Sequence, residues 1–259
     1  MKTLLITDSV TKRFGGLVAV DGLDFELAEG QIASVIGPNG AGKTTFFNML
    51  TGLYRPSAGS VSYGGREISR ARPDRINAMG IARTFQNIRL FPTMSALENV
   101  MIGQHASMNA GLFGSILRLP KVRAEERRVR DTARETLAYA GLADRLVEQT
   151  AANLSYGDQR RVEIARALAS EPSVLLLDEP TAGMNPLESE ALTAFIRKAR
   201  DDLGVTILLI EHDMKVVMGV SERITVLDHG VKIAEGAPDA VRDDARVIEA
   251  YLGTGAGEG

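Results

Sequence analysis

The chain has 259 residues, with 30 Lys or Arg against 33 Asp or Glu, 44% hydrophobic residues and no Cys. That balance argues against a strongly basic face for nucleic acid, and the absence of Cys excludes disulfides and thiolate metal sites. No stretch reaches the roughly 18 apolar residues that a membrane-crossing helix needs. The apolar part of the N-terminus is short for a signal peptide, so a soluble chain in a reducing compartment is expected.

The length suits one large α/β domain or a domain with an inserted lobe. Leu4 to Phe14 and Leu23 to Leu27 read as strands, with Gly15-Gly16 and Asp21-Gly22 as turn signals. Phe14 suits either the underside of an adenine ring or a strand core. Gln31 to Ile36 is a short apolar run bounded by Gly30 and Gly37, which predicts a buried parallel strand, and Lys43 to Leu50 is a helix start. Between them Val35 to Thr45 reads VIGPNGAGKTT, so that Gly37, Gly42, Lys43 and Thr44 fill the G-x-x-x-x-G-K-[ST] pattern. Strand, loop and helix are the context that pattern needs. The backbone N–H groups of Asn39, Gly40, Ala41, Gly42, Lys43, Thr44 and Thr45 are expected to curl around a β-phosphate at the positive end of the helix. Lys43 then bridges β- and γ-phosphates, Thr44 places its hydroxyl on Mg²⁺, and Gly40 and Gly42 are small so that the backbone approaches the anion. The spacing does not fit the G-x-G-x-x-G of a dinucleotide fold.

Gly59 to Gly65 reads as a short strand flanked by turns, part of a small antiparallel subdomain beside the loop. Ile81 to Phe85 reads as another strand, ending at Gln86. A carboxamide there suits a Mg²⁺ or water ligand that senses the γ-phosphate; an ordinary loop residue is the other reading. From Ser95 to Leu142 the period turns helical, with Val122, Val129, Ala133, Leu137 and Ala140 on one face. Residues 103–120 suit an interaction surface or a buried helix.

Ser155 with Asp158 three residues on has the form of a capping box opening a helix over Arg160 to Ala169. Such a terminus either caps a helix or, through Ser155 and the N–H of Gly157, also meets a γ-phosphate. Ser173 to Leu177 is too short and apolar for a helix, hence a central strand, and it delivers Asp178 and Glu179 to its C-terminal edge. Asp178 is expected to hold Mg²⁺ through its water shell and Glu179 to orient and deprotonate the attacking water. Pro186 opens a helix to about Arg200, and Val205 to Ile210 is a buried strand ending in Glu211-His212-Asp213. His212 thus joins the strand-edge row of Asp178, in reach of Glu179 or the γ-phosphate, or is a plain surface His. Ile224 to Leu227 and Val231 to Ala234 form a hairpin, Val247 to Leu252 a last helix, and 253–259 a flexible tail.

The phosphate loop, Gln86, Leu154-Ser155-Tyr156-Gly157-Asp158-Gln159, Val174 to Glu179 and His212, in that order, resemble the nucleotide-binding subunit of ABC transporters over nearly the whole chain. Phe14-Gly15-Gly16-Leu17, Ala182-Gly183-Met184-Asn185-Pro186 and Ile210-Glu211-His212-Asp213-Met214 make the branched-chain amino-acid importer ATPases the nearest subgroup in appearance. The resemblance implies a single cassette over 1–259. Its α/β P-loop NTPase core has a mostly parallel central sheet, with an antiparallel β subdomain and an α-helical subdomain inserted at about 90–170. It implies ATP and Mg²⁺ as ligands and places Phe14, Val20, Gln86 and His212 in the nucleotide site. In the family two cassettes stack head to tail, so Ser155, Gly157 and Asp158 are implied to act on the ATP held by the neighbour.

The implied partners are two transmembrane permease subunits, a second cassette of the same or a different sequence, and an extracytoplasmic solute-binding protein, with no nucleic acid. The implied location is the cytoplasmic face of the membrane. Rival readings are an ATPase of lipid or lipopolysaccharide export, a non-transport ABC ATPase acting on DNA or ribosomes, and a P-loop kinase. Two departures from the common family pattern stand out: Tyr156 takes the place of a Gly, and Asn185 that of an Asp.

Overall fold

A computed structural model of the chain describes residues 2–104 and 120–252. It opens with β1 (Thr3–Phe14) and β2 (Leu17–Ala28), an antiparallel hairpin turning at Gly15-Gly16. Alternate side chains, among them Leu5, Val10, Leu23, Phe25 and Leu27, turn inward and are buried. The Asp21-Gly22 pair is not a turn between strands but lies inside β2. Gly22 takes a left-handed φ of 57° where the register with β1 slips, and the Asp21 N–H donates to Gly230 O at 2.9 Å. A bulge needs the same permissive residue as a turn.

There follow β3 (Ile32–Ile36), α1 (Lys43–Leu50), β4 (Ala58–Tyr63), β5 (Arg66–Glu67), α2 (Pro73–Ala78) and β6 (Ile81–Arg83). A helical stretch holds α3 (Ala96–Gly103), α4 (Pro120–Tyr139) and α5 (Tyr156–Leu168). The rest comprises β7 (Val174–Asp178), α6 (Pro186–Leu203), β8 (Thr206–Ile210), α7 (Met214–Val220), β9 (Arg223–Asp228), β10 (Val231–Gly236), α8 (Pro238–Arg242) and α9 (Ala245–Leu252).

Two sheets result. An antiparallel sheet runs β2-β1-β4-β5, and a six-stranded sheet runs β10-β9-β3-β8-β7-β6, every pairing parallel except that of β10 with β9. The parallel strands are buried on both faces, which is why their sequences are mostly apolar, the buried Ser34 of β3 being hydrogen-bonded to Ser221 Oγ at 2.6 Å. Val174 and Leu176 of β7, with Leu208 and Ile210 of β8, turn toward α1 and the antiparallel sheet. There Phe46, Phe47 and Leu50 fill the space between the sheets. Leu175, Leu177, Ile207 and Leu209 turn the other way, onto Ile164, Leu192 and Ile196. Each such fully buried side chain contributes on the order of 1.5–3 kcal/mol.

The helices form a core of their own, with Leu97, Val100, Ala133, Leu137, Val162 and Ala165 at its centre. Helix α5 belongs to both cores: Val162 and Ala165 face the helical one, Ile164 and Leu168 the sheet. The expected face of Val129, Ala133, Leu137 and Ala140 is buried. The side chain of Val122, most of the 103–120 stretch and the 253–259 tail lie outside the described residues.

Candidate functional site

The C-terminal ends of the parallel strands meet the start of α1 at a cleft of about 500 Å³. Its walls are Phe14, Leu17, Val18, Ala19, the loop from Asn39 to Thr45, Gln86, Glu179 and His229. The loop owes its shape to two glycines. A Cβ on Gly37 (φ 148°) would lie 2.0 Å from Leu227 O, and one on Gly42 (φ 99°) 2.4 Å from Ala19 O. β2 standing against Gly42 is thus a reason for its smallness in addition to the expected approach of an anion. Around Gly40 the protein leaves open space, and what it needs is its φ of 82°. Gly42 is also the N-cap of α1. With no side-chain cap and no acidic residue in the first turn, that terminus keeps its donors and positive potential for the cleft. One loop amide is already spent, Ala41 N–H donating to Pro38 O at 3.2 Å.

Lys43 is nearly buried, its Nζ donating to Gly37 O at 2.7 Å and Pro38 O at 2.9 Å. Burial lowers its pKa, opposed by the charges of Glu179 and Asp178. Thr44 is exposed to the cleft.

Asp178 ends β7 with its carboxylate buried. Oδ2 accepts from Arg83 Nη2 at 2.7 Å, while Oδ1 has no hydrogen-bond partner. Arg83 also donates to Asn48 Oδ1 at 2.7 Å. Sequence reasoning passed over Arg83, although a lone Arg in an apolar strand demands a buried counter-charge.

Glu179 follows at φ 47°, a left-handed conformation rare for a residue with a side chain. Its Oε2 accepts from Gln86 Nε2 at 3.0 Å, and His212 Nδ1 lies 3.7 Å from the same oxygen. The His212 side chain is 62% exposed and does not line the cleft. Beneath both lies Glu211, fully buried. It accepts from Thr181 N–H at 2.9 Å and His212 N–H at 3.1 Å, and so ties the loop after Glu179 to the loop carrying His212.

Phe14 is 42% exposed, lines the cleft and meets Tyr54 edge-on at 5.2 Å, so it is no core residue. Val20 is fully buried behind the loop, its Cγ2 beside Gly42, and its neighbours Leu17 to Ala19 face the cleft instead. His229 was missed. It sits at φ 47° on the β9–β10 turn, paired with Asp228 at 2.8 Å, and its only trace in the sequence is a polar residue before Gly230.

Ser155, Gly157 and Asp158 are not in this cleft. They line a separate groove of about 220 Å³ with Tyr139, Arg161, Met184 and Glu188. Ser155 caps α5 by accepting from Asp158 N–H at 3.2 Å. Its hydroxyl donates to Asp158 Oδ2 at 2.7 Å, so this is a one-sided cap rather than the reciprocal box that was expected. Tyr156 is helical, with no left-handed φ, and stands in the Gly position without strain. Asn185 is the N-cap of α6 in a true capping box with Glu188, both bonds 3.0 Å, a task for which an amide oxygen suffices.

Residues 20–182 match the family described as ABC transporter, and residues 231–257 the family described as branched-chain amino acid ATP-binding cassette transporter. The high-affinity branched-chain amino acid transport ATP-binding protein LivG of Salmonella typhimurium is 46% identical over 250 residues, 96% of this chain and 98% of that protein. The crystal structure of the ADP conformation of an ATP-binding cassette of an ABC transporter superposes with a TM-score of 0.84 at 31% identity. It covers 98% of this chain and 100% of the other. A dimeric cassette in a post-hydrolysis state with ADP and Pi reaches 0.78 at 28% identity, covering 91% of this chain and 99% of the other.

Proposed function

The chain belongs to the ABC transporter family, and from that membership we propose that it is the ATP-hydrolysing subunit of an importer of branched-chain amino acids. It works at the cytoplasmic face of a membrane, against two permease subunits and beside a second cassette, with an extracytoplasmic solute-binding protein in the full system. No helix among the described residues is long and apolar enough to cross a membrane, so the path for the solute is assigned to the permeases.

The observation that carries the catalytic reading is the Gln86–Glu179 hydrogen bond, which holds a carboxylate at the mouth of a cleft floored by the Gly-rich loop. The loop amides and Lys43 bind the β- and γ-phosphates, and Phe14 lies against the base. Glu179 accepts a proton from a water as its oxygen bonds to the γ-phosphorus and the bond to the bridging oxygen breaks, with Lys43 balancing the charge on the phosphates. His212 lies close enough to Glu179 Oε2 to help orient it. The buried, unpartnered Asp178 Oδ1 fits a metal-bound water, and with Thr44 and Gln86 it would hold Mg²⁺, which supplies further charge neutralisation when bound. Among the described residues no cluster of three His, Asp or Glu is placed to hold a metal ion. Ser155 and Gly157, which share no cleft with Lys43, serve the ATP bound by the neighbouring cassette.

The test is the Glu179→Gln chain, tagged and recovered from gently solubilised membranes with MgATP present. Turnover should fall by about 10²–10⁴-fold with ATP binding kept, and two polytopic proteins with a second cassette should copurify. Turnover within a few-fold of wild type would remove Glu179 as the base. A homodimer carrying ribosomal or nucleic-acid material would overturn the transport reading.

A further inference from the structure

The first turns of α5 carry a buried ion pair that the catalytic reading does not use. Arg160 and Glu163 are 0% and 1% exposed and meet at 2.7 Å. Desolvating such a pair costs several kcal/mol per ion, and an apolar pair of similar volume would fill the space as well. The polar groups are spent on a particular stretch of backbone. Arg160 Nη1 donates to Phe85 O at 2.8 Å and Nη2 to Gln86 O at 2.9 Å. The second oxygen of Glu163, Oε1, accepts from Arg89 N–H at 3.2 Å and Phe85 N–H at 3.4 Å. The segment after β6 is thus gripped by its carbonyls and its amides together, and its path follows α5.

Two residues extend the grip in opposite directions. Gln86, held by its main chain to Arg160, holds Glu179 by its side chain. Tyr156, one residue after the Ser155 cap, accepts from Arg160 Nη2 at 3.2 Å and lies beside Gly183 in the loop that follows Glu179. A Gly at 156 would make neither contact.

We propose that Arg160 is a positioning residue that transmits between the two nucleotide sites of a paired cassette. It ties the Ser155 end of α5, which meets the neighbour's ATP, to the Gln86–Glu179 pair of its own site. This rests on the reading that Ser155 and Gly157 act across the dimer. A displacement of α5 as the neighbour's nucleotide arrives or leaves is passed to Gln86 by a short rigid path, and occupancy of one site sets the alignment of the base in the other.

The experiment uses the full chain and compares wild type with Arg160→Lys, which keeps a cation opposite Glu163 but loses the fork that spans both carbonyls. ADP affinity of the monomer is measured first and should stay within about two-fold, as for a residue outside that cleft. Turnover at saturating ATP should fall by about ten-fold or more, since a small misplacement of an aligned group is enough. The Hill coefficient for ATP should drop from about 2, the number of sites, to about 1.

Arg160→Met combined with Glu163→Met removes the pair without stranding a charge. It should stay folded but melt below wild type, because the Phe85 and Gln86 carbonyls and the Phe85 and Arg89 N–H groups lose their partners, while showing the same losses. Folded variants with wild-type turnover and cooperativity would overturn the coupling role, and so would turnover and ADP affinity falling together. Wild-type hydrolysis that is first order in protein at all concentrations would instead overturn the paired-cassette reading itself.

Discussion

The two helix N-termini to which the proposed function assigns the nucleotide are finished in opposite ways. Helix α1 begins at Gly42 with no side-chain cap and no acid in its first turn. Helix α5 begins at Ser155, whose hydroxyl is bonded to both the N–H and the carboxylate of Asp158. An anion reaching α1 finds donors in place, whereas one reaching α5 finds them partly satisfied and a negative charge beside them. Under the proposed function the first terminus binds nucleotide by itself, and the second adds to a nucleotide that another surface has already fixed. Each stands near a buried Arg–carboxylate pair, and these differ as well. Asp178 keeps one oxygen unpartnered at the catalytic edge, while both oxygens of Glu163 are occupied by the chain.

Three tests bear on that contrast, from the largest effect downward. Lys43→Ala should weaken ADP binding by about 100-fold or more, from the loss of charge-assisted bonds of roughly 1.5–3 kcal/mol each. Ser155→Ala should leave it within about two-fold. Equilibrium dialysis of the isolated chain checks both, and equal losses would erase the distinction. Next, Gly42→Ala should destabilise the fold by on the order of 3 kcal/mol, through its left-handed φ and the nearness of Ala19 O. Gly157→Ala, in a helix and meeting only the Glu188 carboxylate at 3.2 Å, which must shift by a few tenths of an ångström within its capping box, should change stability by no more than about 0.5 kcal/mol either way. Urea midpoints separate the two. The smallest effect belongs to Asp158→Asn, which removes the charge beside the second terminus. The protein concentration giving half-maximal specific ATPase activity should fall by about two- to five-fold, from a dipole-scale term of 0.3–1 kcal/mol. An unchanged midpoint would mean that this charge does not oppose the incoming phosphates.

The sequence makes the first terminus far easier to recognise than its supports. Strand, loop and helix from Ile32 to Leu50 sit where periodicity and glycine spacing put them, because each is determined by neighbours within a few residues. The same holds for β7 with Asp178 and Glu179 at its end. What local pattern cannot reveal is a partner far along the chain. Arg83 looks like one residue of a strand until Asp178 is beside it, Glu211 like a strand-end acid until Thr181 is found on it, and His229 like a turn residue until the turn faces the cleft. The second reason for Gly42 escapes local pattern for the same cause, since Ala19 O belongs to a different sheet. Helices α2 and α8 were missed although each opens with Pro followed by Asp, a start signal that was there to be read.

The packing of Leu227 O where a Gly37 Cβ would stand has a meaning for how the protein is made. The phosphate loop is seated on β9 and its turn, with Gly230 N–H donating to Ala41 O at 3.1 Å and Gly230 O accepting from Asp21 N–H at 2.9 Å. A loop written within the first fifth of the chain is thus held in shape by residues close to its end. During synthesis the N-terminal strands and the loop leave the ribosome long before that seat exists. The phosphate loop therefore gains this seat late, when β9 closes beside β3.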